Sequence, residues 1–264
     1  MRLSRVREKL RAGKPVLCTK MNSADPVVAD IIGILGFDCL WLCNEHTPLD
    51  GDRLCHLIRT AALNKMDTMV RTSKGSYSDL VRPLEAGASG LMIPHCMSAD
   101  EARHIVRNTR FHPVGCRPMD GGNIDGQYCM LPMIDYMRLA NENTFVVVQI
   151  EDPEALEQMD EIAAVEGIDA LFVGPGDLSQ AMGIPGQTNH PEVEDAIRSV
   201  ARACQKQGRA WGLPVTAQNS AKYVEMGARF LSSGADIFGL QVYYRELRRD
   251  FERLGFAFSS EQET

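Results

Sequence analysis

The sequence predicts an α/β protein, and within that class a (β/α)8 TIM barrel. Three observations predict it. Short apolar runs recur eight times, most of them end in polar or charged residues, and a stretch with helix signals separates most of them from the next. The runs cover residues 16–21, 39–46, 68–73, 90–95, 145–151, 170–174, 210–215 and 229–234. Their apolarity is continuous rather than alternating, as in strands covered on both faces by helices. A doubly wound open sheet satisfies the same pattern and stays the alternative, because periodicity does not show closure.

The connecting stretches carry recognisable helix ends. Ser23-Ala24-Asp25-Pro26 offers a cap followed by proline in the first turn, and Ser98 with Glu101 has capping-box spacing. Pro153 opens a stretch that sets Ala155, Leu156, Met159, Ile162 and Ala163 on one helical face. Gly87, Gly167, Gly208 and Gly227 each stand between a helical stretch and the next strand, where helices commonly end on glycine. One interval is irregular: Gly90 to Phe145 is about twice as long as its neighbours and contains a Gly/Pro/Asp-rich segment. Residues 113–131 are therefore expected to form a loop over the active site. Residues 241–254 read as an amphipathic last helix, and the polar tail 259–264 is expected to be mobile. No linker or low-complexity segment divides the chain, so one domain is expected over residues 1–264.

Composition narrows the functional classes. The 264 residues are 44% hydrophobic and 24% charged, which is too apolar for a disordered chain. A net charge of −7 gives no general attraction for nucleic acid or anionic lipid. No apolar run approaches the ~20 residues that span a bilayer, and the charged first ten residues lack the apolar core of a secretory signal. The eight cysteines include no C-x-x-C pair, so a reduced, cytoplasmic protein is expected.

In a barrel the active site lies at the C-terminal strand ends. Glu45, His46, Arg71, His95, Glu151 and Asp177 stand at such ends. Charges also mark any strand that meets water, but these come from separate strands and closure would bring them together. Glu151 and Asp177 end consecutive strands. Two carboxylates are a poor set for zinc and suit Mg²⁺ or Mn²⁺, which take further oxygens from water and substrate. A glycosidase acid/base pair is the competing use, though 6% aromatic residues is little for a sugar cleft. Gly174-Pro175-Gly176-Asp177 lacks the third glycine of a dinucleotide fingerprint, and Lys74-Gly75-Ser76 lacks the order of a phosphate-binding loop. Cys43 reads as a small apolar strand residue ahead of a thiolate nucleophile.

Several segments together resemble a known family. They are Glu45-His46-Thr47-Pro48, Val70-Arg71, Pro83-Leu84-Glu85-Ala86-Gly87, Val148-Gln149-Ile150-Glu151 and Phe172-Val173-Gly174-Pro175-Gly176-Asp177-Leu178-Ser179. In order and spacing they resemble the HpcH/HpaI aldolases over roughly residues 5–235. These are metal-dependent class II pyruvate aldolases, including 2-dehydro-3-deoxyglucarate and 4-hydroxy-2-oxoheptanedioate aldolases, related to citrate lyase β-type barrels.

The resemblance implies Glu151 and Asp177 as ligands of Mg²⁺ or Mn²⁺, with Co²⁺ a further candidate. It implies Arg71 as the guanidinium that holds the 2-oxo acid, and backbone N–H groups of Gly176 and Asp177 as carboxylate donors. Gln149 is a further polar contact. His46 is the base, with Glu85 as its carboxylate partner. The implied reaction is a lyase step that cleaves a 4-hydroxy-2-oxo acid to pyruvate and an aldehyde through a stabilised enolate. No lysine Schiff base is needed, and Lys20 matches no family motif. Two positions depart from the pattern: Cys43 and Glu85 stand where the family usually has Asp. The alternatives are a related enolate chemistry such as oxaloacetate decarboxylation, or 2-oxo-acid binding without turnover. A homo-oligomer is also implied, a hexamer in which the last helix is exchanged between subunits.

Overall fold

In the computed structural model, which describes residues 3–258, eight parallel strands close on themselves in chain order. They are β1 (Val16–Met21), β2 (Cys39–Cys43), β3 (Asp67–Arg71), β4 (Gly90–Ile93), β5 (Phe145–Ile150), β6 (Ala170–Val173), β7 (Ala210–Pro214) and β8 (Phe230–Ala235). β8 pairs with β1 through Val16↔Phe230 and Leu17↔Leu231, which removes the open-sheet alternative. All eight expected runs are strands; several stop two or three residues early, where the chain turns into the mouth. The tail 259–264 lies outside the described residues.

Side-chain volume explains closure. Val16, Cys18, Cys39, Trp41, Met69, Met92, Phe145, Phe172 and Phe230 fill the interior, and the Trp41 and Phe172 rings meet edge to face at 5.6 Å. Large rings lie against missing side chains, as layered barrel packing requires. A Cβ on Gly90 would stand 2.3 Å from the Phe145 ring, and one on Gly212 would stand 1.5 Å from the Phe230 carbonyl oxygen. A second, larger core fills the space between the strands and the surrounding helices.

The helices are α1 (Arg5–Arg11), α2 (Pro26–Ile34), α3 (Gly51–Leu63), α4 (Tyr77–Glu85), α5 (Ala99–Thr109), α6 (Met133–Asn143), α7 (Pro153–Glu157), α8 (Met159–Ala164), α9 (Pro175–Ala181), α10 (Pro191–Gln207), α11 (Ser220–Glu225) and α12 (Asp236–Arg253). Asp25 caps α2 by accepting from the Val27 N–H, with Pro26 at its first position. Ser98 caps α5 through the Glu101 N–H, while the Glu101 carboxylate accepts from Met97 rather than from Ser98. The expected box is thus shifted by one donor. The helix opened by Pro153 is two pieces broken at Gln158, yet Ala155, Met159, Ile162 and Ala163 are buried as expected. Gly87, Gly167, Gly208 and Gly227 have φ between 61° and 98°, a conformation that favours glycine.

Two expectations need correction. Residues 113–131 do not cover the mouth of their own barrel. α5 runs back to the N-terminal ends of the strands, as barrel helices do, and β5 starts from that same end, so the long connection stays below. A Cβ on Gly87 would meet Ile124 at 3.0 Å, and one on Gly167 would meet Val114 at 3.0 Å; both glycines enter strands from beneath. Arg117 is buried there, bonded to Asp125 at 2.7 Å and to the Tyr136 hydroxyl at 3.2 Å. The last helix is also longer than the expected 241–254, spanning Asp236–Arg253. None of its residues is buried: Phe238, Val242, Tyr243 and Tyr244 are about 60% exposed or more.

Steric closure gives a clear expectation. Gly212→Ala costs more than the ~1–3 kcal/mol typical of overpacking, because the clash is with backbone. Gly176→Ala, with open space around the added carbon, leaves the thermal midpoint nearly unchanged. Thermal unfolding followed by circular dichroism reads both.

Candidate active site

The strand ends gather the charged residues into one mouth. Glu151 follows β5 directly and is 1% exposed. Its Oε1 accepts the His95 backbone N–H at 3.0 Å, and its Oε2 accepts from the Gln149 amide. Burial pushes the Glu151 carboxyl up to about 7, and the Asp177 charge adds to the rise; the His95 N–H, His95 and Arg71 oppose it. Asp177 lies in the first turn of α9, on the strand adjacent to β5 through Ile150↔Val173. Against Glu151 stands Gly174, where a Cβ would lie 2.5 Å from Glu151 Oε2 and 2.9 Å from Gln149 Nε2. Space, not backbone freedom, requires this glycine.

His95 is positioned by an unusual backbone. Its φ of 51° is left-handed for a non-glycine residue, and this conformation accompanies the N–H bond to Glu151. Nδ1 lies 2.9 Å from Asp152. Desolvation disfavours the imidazolium, but the Asp152 contact and the Glu151 and Glu45 charges raise the His95 pKa above its ordinary value.

Arg71 ends β3 and is 5% exposed. Its guanidinium approaches four groups. Nε is 2.9 Å from Glu45, Nη2 donates to Cys43 Sγ at 3.1 Å, Nη1 donates to Gln149 Oε1 at 3.4 Å, and Cζ lies 5.0 Å from the Trp41 ring centroid. Burial alone would raise the Cys43 thiol, but the Arg71 hydrogen bond, the His46 backbone N–H and the Arg71 and Lys20 charges leave it below the ordinary value. Cys43 is therefore a polar partner of the site arginine, not the inert apolar residue its strand position suggests.

His46 projects from the loop after β2 with 61% of its side chain exposed, 3.4 Å from Glu45. Glu85 is elsewhere. It is the last residue of α4, at the opposite end of the barrel, and its carboxyl is raised first by burial, with Arg117, Asp125 and Asp120 as its charged neighbours. One chain does not bring Glu85 to His46; the carboxylate beside His46 is Glu45. The Gly176 and Asp177 N–H groups precede the first helical bond of α9, Leu178 to Gly174, and so have no intrahelical acceptor. Ser179 fixes this turn by donating to the Gly176 carbonyl at 2.7 Å and accepting from Gly186.

The mouth thus joins Glu151, Asp177, Arg71, Gln149 and His46. The parts that sequence reasoning missed are the Glu45 bridge and the His95–Asp152 pair, though the positions of Glu45 and His95 at strand ends signalled them. Among the described residues no cluster of three or more His, Cys, Asp or Glu is arranged to hold a metal ion. The donor set is two carboxylates, one of them buried and raised by the other's charge. A hard divalent cation relieves such a pair and leaves positions for oxygen ligands from substrate.

A closed barrel with paired carboxylates and a clamped arginine at its mouth is the frame of an enolate-forming enzyme. The chain belongs to the HpcH/HpaI aldolase/citrate lyase family, whose model matches residues 21–241. It is 33% identical to a hydroxypyruvate/pyruvate aldolase of Pseudomonas aeruginosa over 251 residues, 95% of this chain and 93% of that protein. It is 34% identical to a 4-hydroxy-2-oxo-heptane-1,7-dioate aldolase of Shigella sonnei, covering 86% and 87% of the two chains. The crystal structure of an HpcH/HpaI aldolase from Desulfitobacterium hafniense DCB-2 superposes with a TM-score of 0.88 at 32% identity, covering 93% of this chain and 96% of that one.

Gly174→Ala is expected to displace Glu151 and Gln149 together. Calorimetric titration with Mn²⁺ should show the roughly 10–100-fold loss of affinity that follows disturbance of residues supporting a metal ligand. Unchanged affinity would separate Gly174 from the carboxylate pair.

Proposed function

We propose that this enzyme is a divalent-metal-dependent aldolase that cleaves a 4-hydroxy-2-oxo acid to pyruvate and an aldehyde. The observation that carries the reading is the buried Glu151 at the end of β5, with Asp177 in the first turn after the adjacent strand β6 and Arg71 held at the same mouth. Glu151 and Asp177 would hold Mg²⁺ or Mn²⁺, and the chemistry a cation supplies there when bound is Lewis-acid stabilisation of enolate charge, on the order of several kcal/mol.

The chain's own groups do the rest. Arg71, its fork already oriented by Glu45, Cys43 and Gln149, donates to the 2-oxo oxygen as negative charge develops there. The Gly176 and Asp177 N–H groups receive the substrate carboxylate. His46 takes the proton from the 4-hydroxyl, so that the C3–C4 electron pair passes into the enolate and the aldehyde departs; the enolate then regains a proton at C3. Glu45, 3.4 Å from the imidazole, orients it within the chain.

Glu85 retains a role only through another copy, because its own His46 is at the far end of the barrel. Association is supported by two surfaces: the apolar face of α12 and the β8–β1 flank, where Leu17 is 40% exposed. We therefore assign a homo-oligomer, six subunits by family resemblance, in which Glu85 of one copy faces His46 of the next. The alternative of 2-oxo-acid binding without turnover is favoured by one observation, Cys43 where the family usually has Asp. No helix among the described residues is long and apolar enough to cross a membrane.

Two measurements test this reading. EDTA should abolish pyruvate release from a 4-hydroxy-2-oxo acid and Mn²⁺ or Mg²⁺ restore it; Glu151→Ala should lower kcat/KM at least ~10³-fold, as loss of a transition-state stabiliser does. Persistence of activity in the chelated enzyme contradicts the function. Light scattering should give an oligomer, and mixed subunits of inactive His46→Ala and Glu85→Ala should regain activity. A monomer with full activity contradicts the shared site.

A further inference from the structure

Lys20 holds the last inward-facing position of β1. Val16 and Cys18 beneath it belong to the barrel interior, its register partner on β2 is Trp41, and its ammonium lies 5.6 Å from that ring's centroid. Arg71 uses the same ring, but its charge is already met by Glu45 and Cys43. Lys20 makes no ion pair and no hydrogen bond among the described residues; it stands over the face of Trp41, and its charge reaches the Cys43 thiol. An exposed cation–π contact is worth about 0.5–1 kcal/mol and leaves the ammonium's three donors free.

Position gives this cation a direction. In a ring of eight strands β1 lies across the mouth from β5. A 2-oxo acid with its head at Glu151 and Asp177, beside Arg71, would direct a longer tail across the mouth toward β1, where Lys20 stands. The chain as a whole carries −7, so an anionic tail is repelled in general and needs a local cation in the mouth.

We propose that Lys20 is a specificity-determining residue that receives a second carboxylate at the far end of the substrate, making dicarboxylic 2-oxo acids the preferred class. The assignment rests on the function proposed above for the head of the site. A carboxylate suits it better than a terminal phosphate. Lys20 is a single point charge, whereas a phosphate dianion is more commonly met by an arginine fork or several backbone N–H groups.

The test is calorimetric binding of 2-oxoglutarate and 2-oxopentanoate, acids of equal length with and without the far carboxylate, to the Mn²⁺-loaded protein. The wild type should prefer 2-oxoglutarate by about ten-fold or more, the scale of a close charge pair. Lys20→Met, which keeps the apolar stem on Trp41, should lose that preference, and Lys20→Arg should retain part of it. An equal ratio in wild type and Lys20→Met overturns the assignment while leaving the head of the site intact. Failure of both acids to bind overturns the parent reading and this one with it. Trapping of pyruvate on Lys20 by borohydride would also overturn it, since a covalent role would replace recognition.

Discussion

The site depends on one constraint: a carboxylate, Glu151, is held almost completely out of water at the top of the barrel. Burying a charge is costly unless it is paired and hydrogen-bonded, and the surrounding residues satisfy that demand in part. Gln149 and the His95 backbone each donate to one oxygen. Gly174 leaves the room a side chain would remove, and His95 adopts a left-handed backbone beside it. What remains unsatisfied is charge. Burial raises the Glu151 carboxyl and the Asp177 charge adds to the rise; a hard cation would relieve both, as the proposed function requires.

The arginine is held by the opposite logic. Arg71 is buried, and three side chains, two from the end of β2 and one from β5, converge on its guanidinium while Trp41 packs against it. In the role proposed for it, a fork fixed in this way would donate to a developing enolate oxygen with little reorganisation, which is the condition for electrostatic catalysis. Cys43 is part of that hold. Its sulfur accepts from Arg71 Nη2, while Glu45 supplies the negative charge beside the guanidinium and also reaches His46. The same residue thus stands beside both Arg71 and His46, the groups proposed to bind the enolate and to move the proton.

Much of this was legible in the sequence. Continuous apolar runs mark strands because both faces are covered, and positive-φ glycines mark the turns that feed them, so β1 through β8 follow from local pattern. Glu151, Asp177, Arg71 and His46 stand at strand ends or just beyond them, and closure alone assembles them. The misplaced elements share a physical cause. The segment 113–131, Glu85 and α12 all depend on which end or face of the barrel they occupy, and that is set by helix direction and by which faces pack against the barrel. Local pattern encodes neither. Lys20 and Cys43 were hidden differently: each looks like an ordinary strand residue until Trp41 and Arg71 are placed beside them.

In the function proposed, the buried Glu151 and the more open Asp177 bind a cation and, through it and Arg71, a 2-oxo acid. Calorimetric binding of oxalate, a planar mimic of the pyruvate enolate, tests this most directly in the presence and absence of Mn²⁺. The account predicts binding that requires Mn²⁺ and is lost in Asp177→Ala. Oxalate binding of equal strength without the metal, or undiminished in that variant, would contradict it.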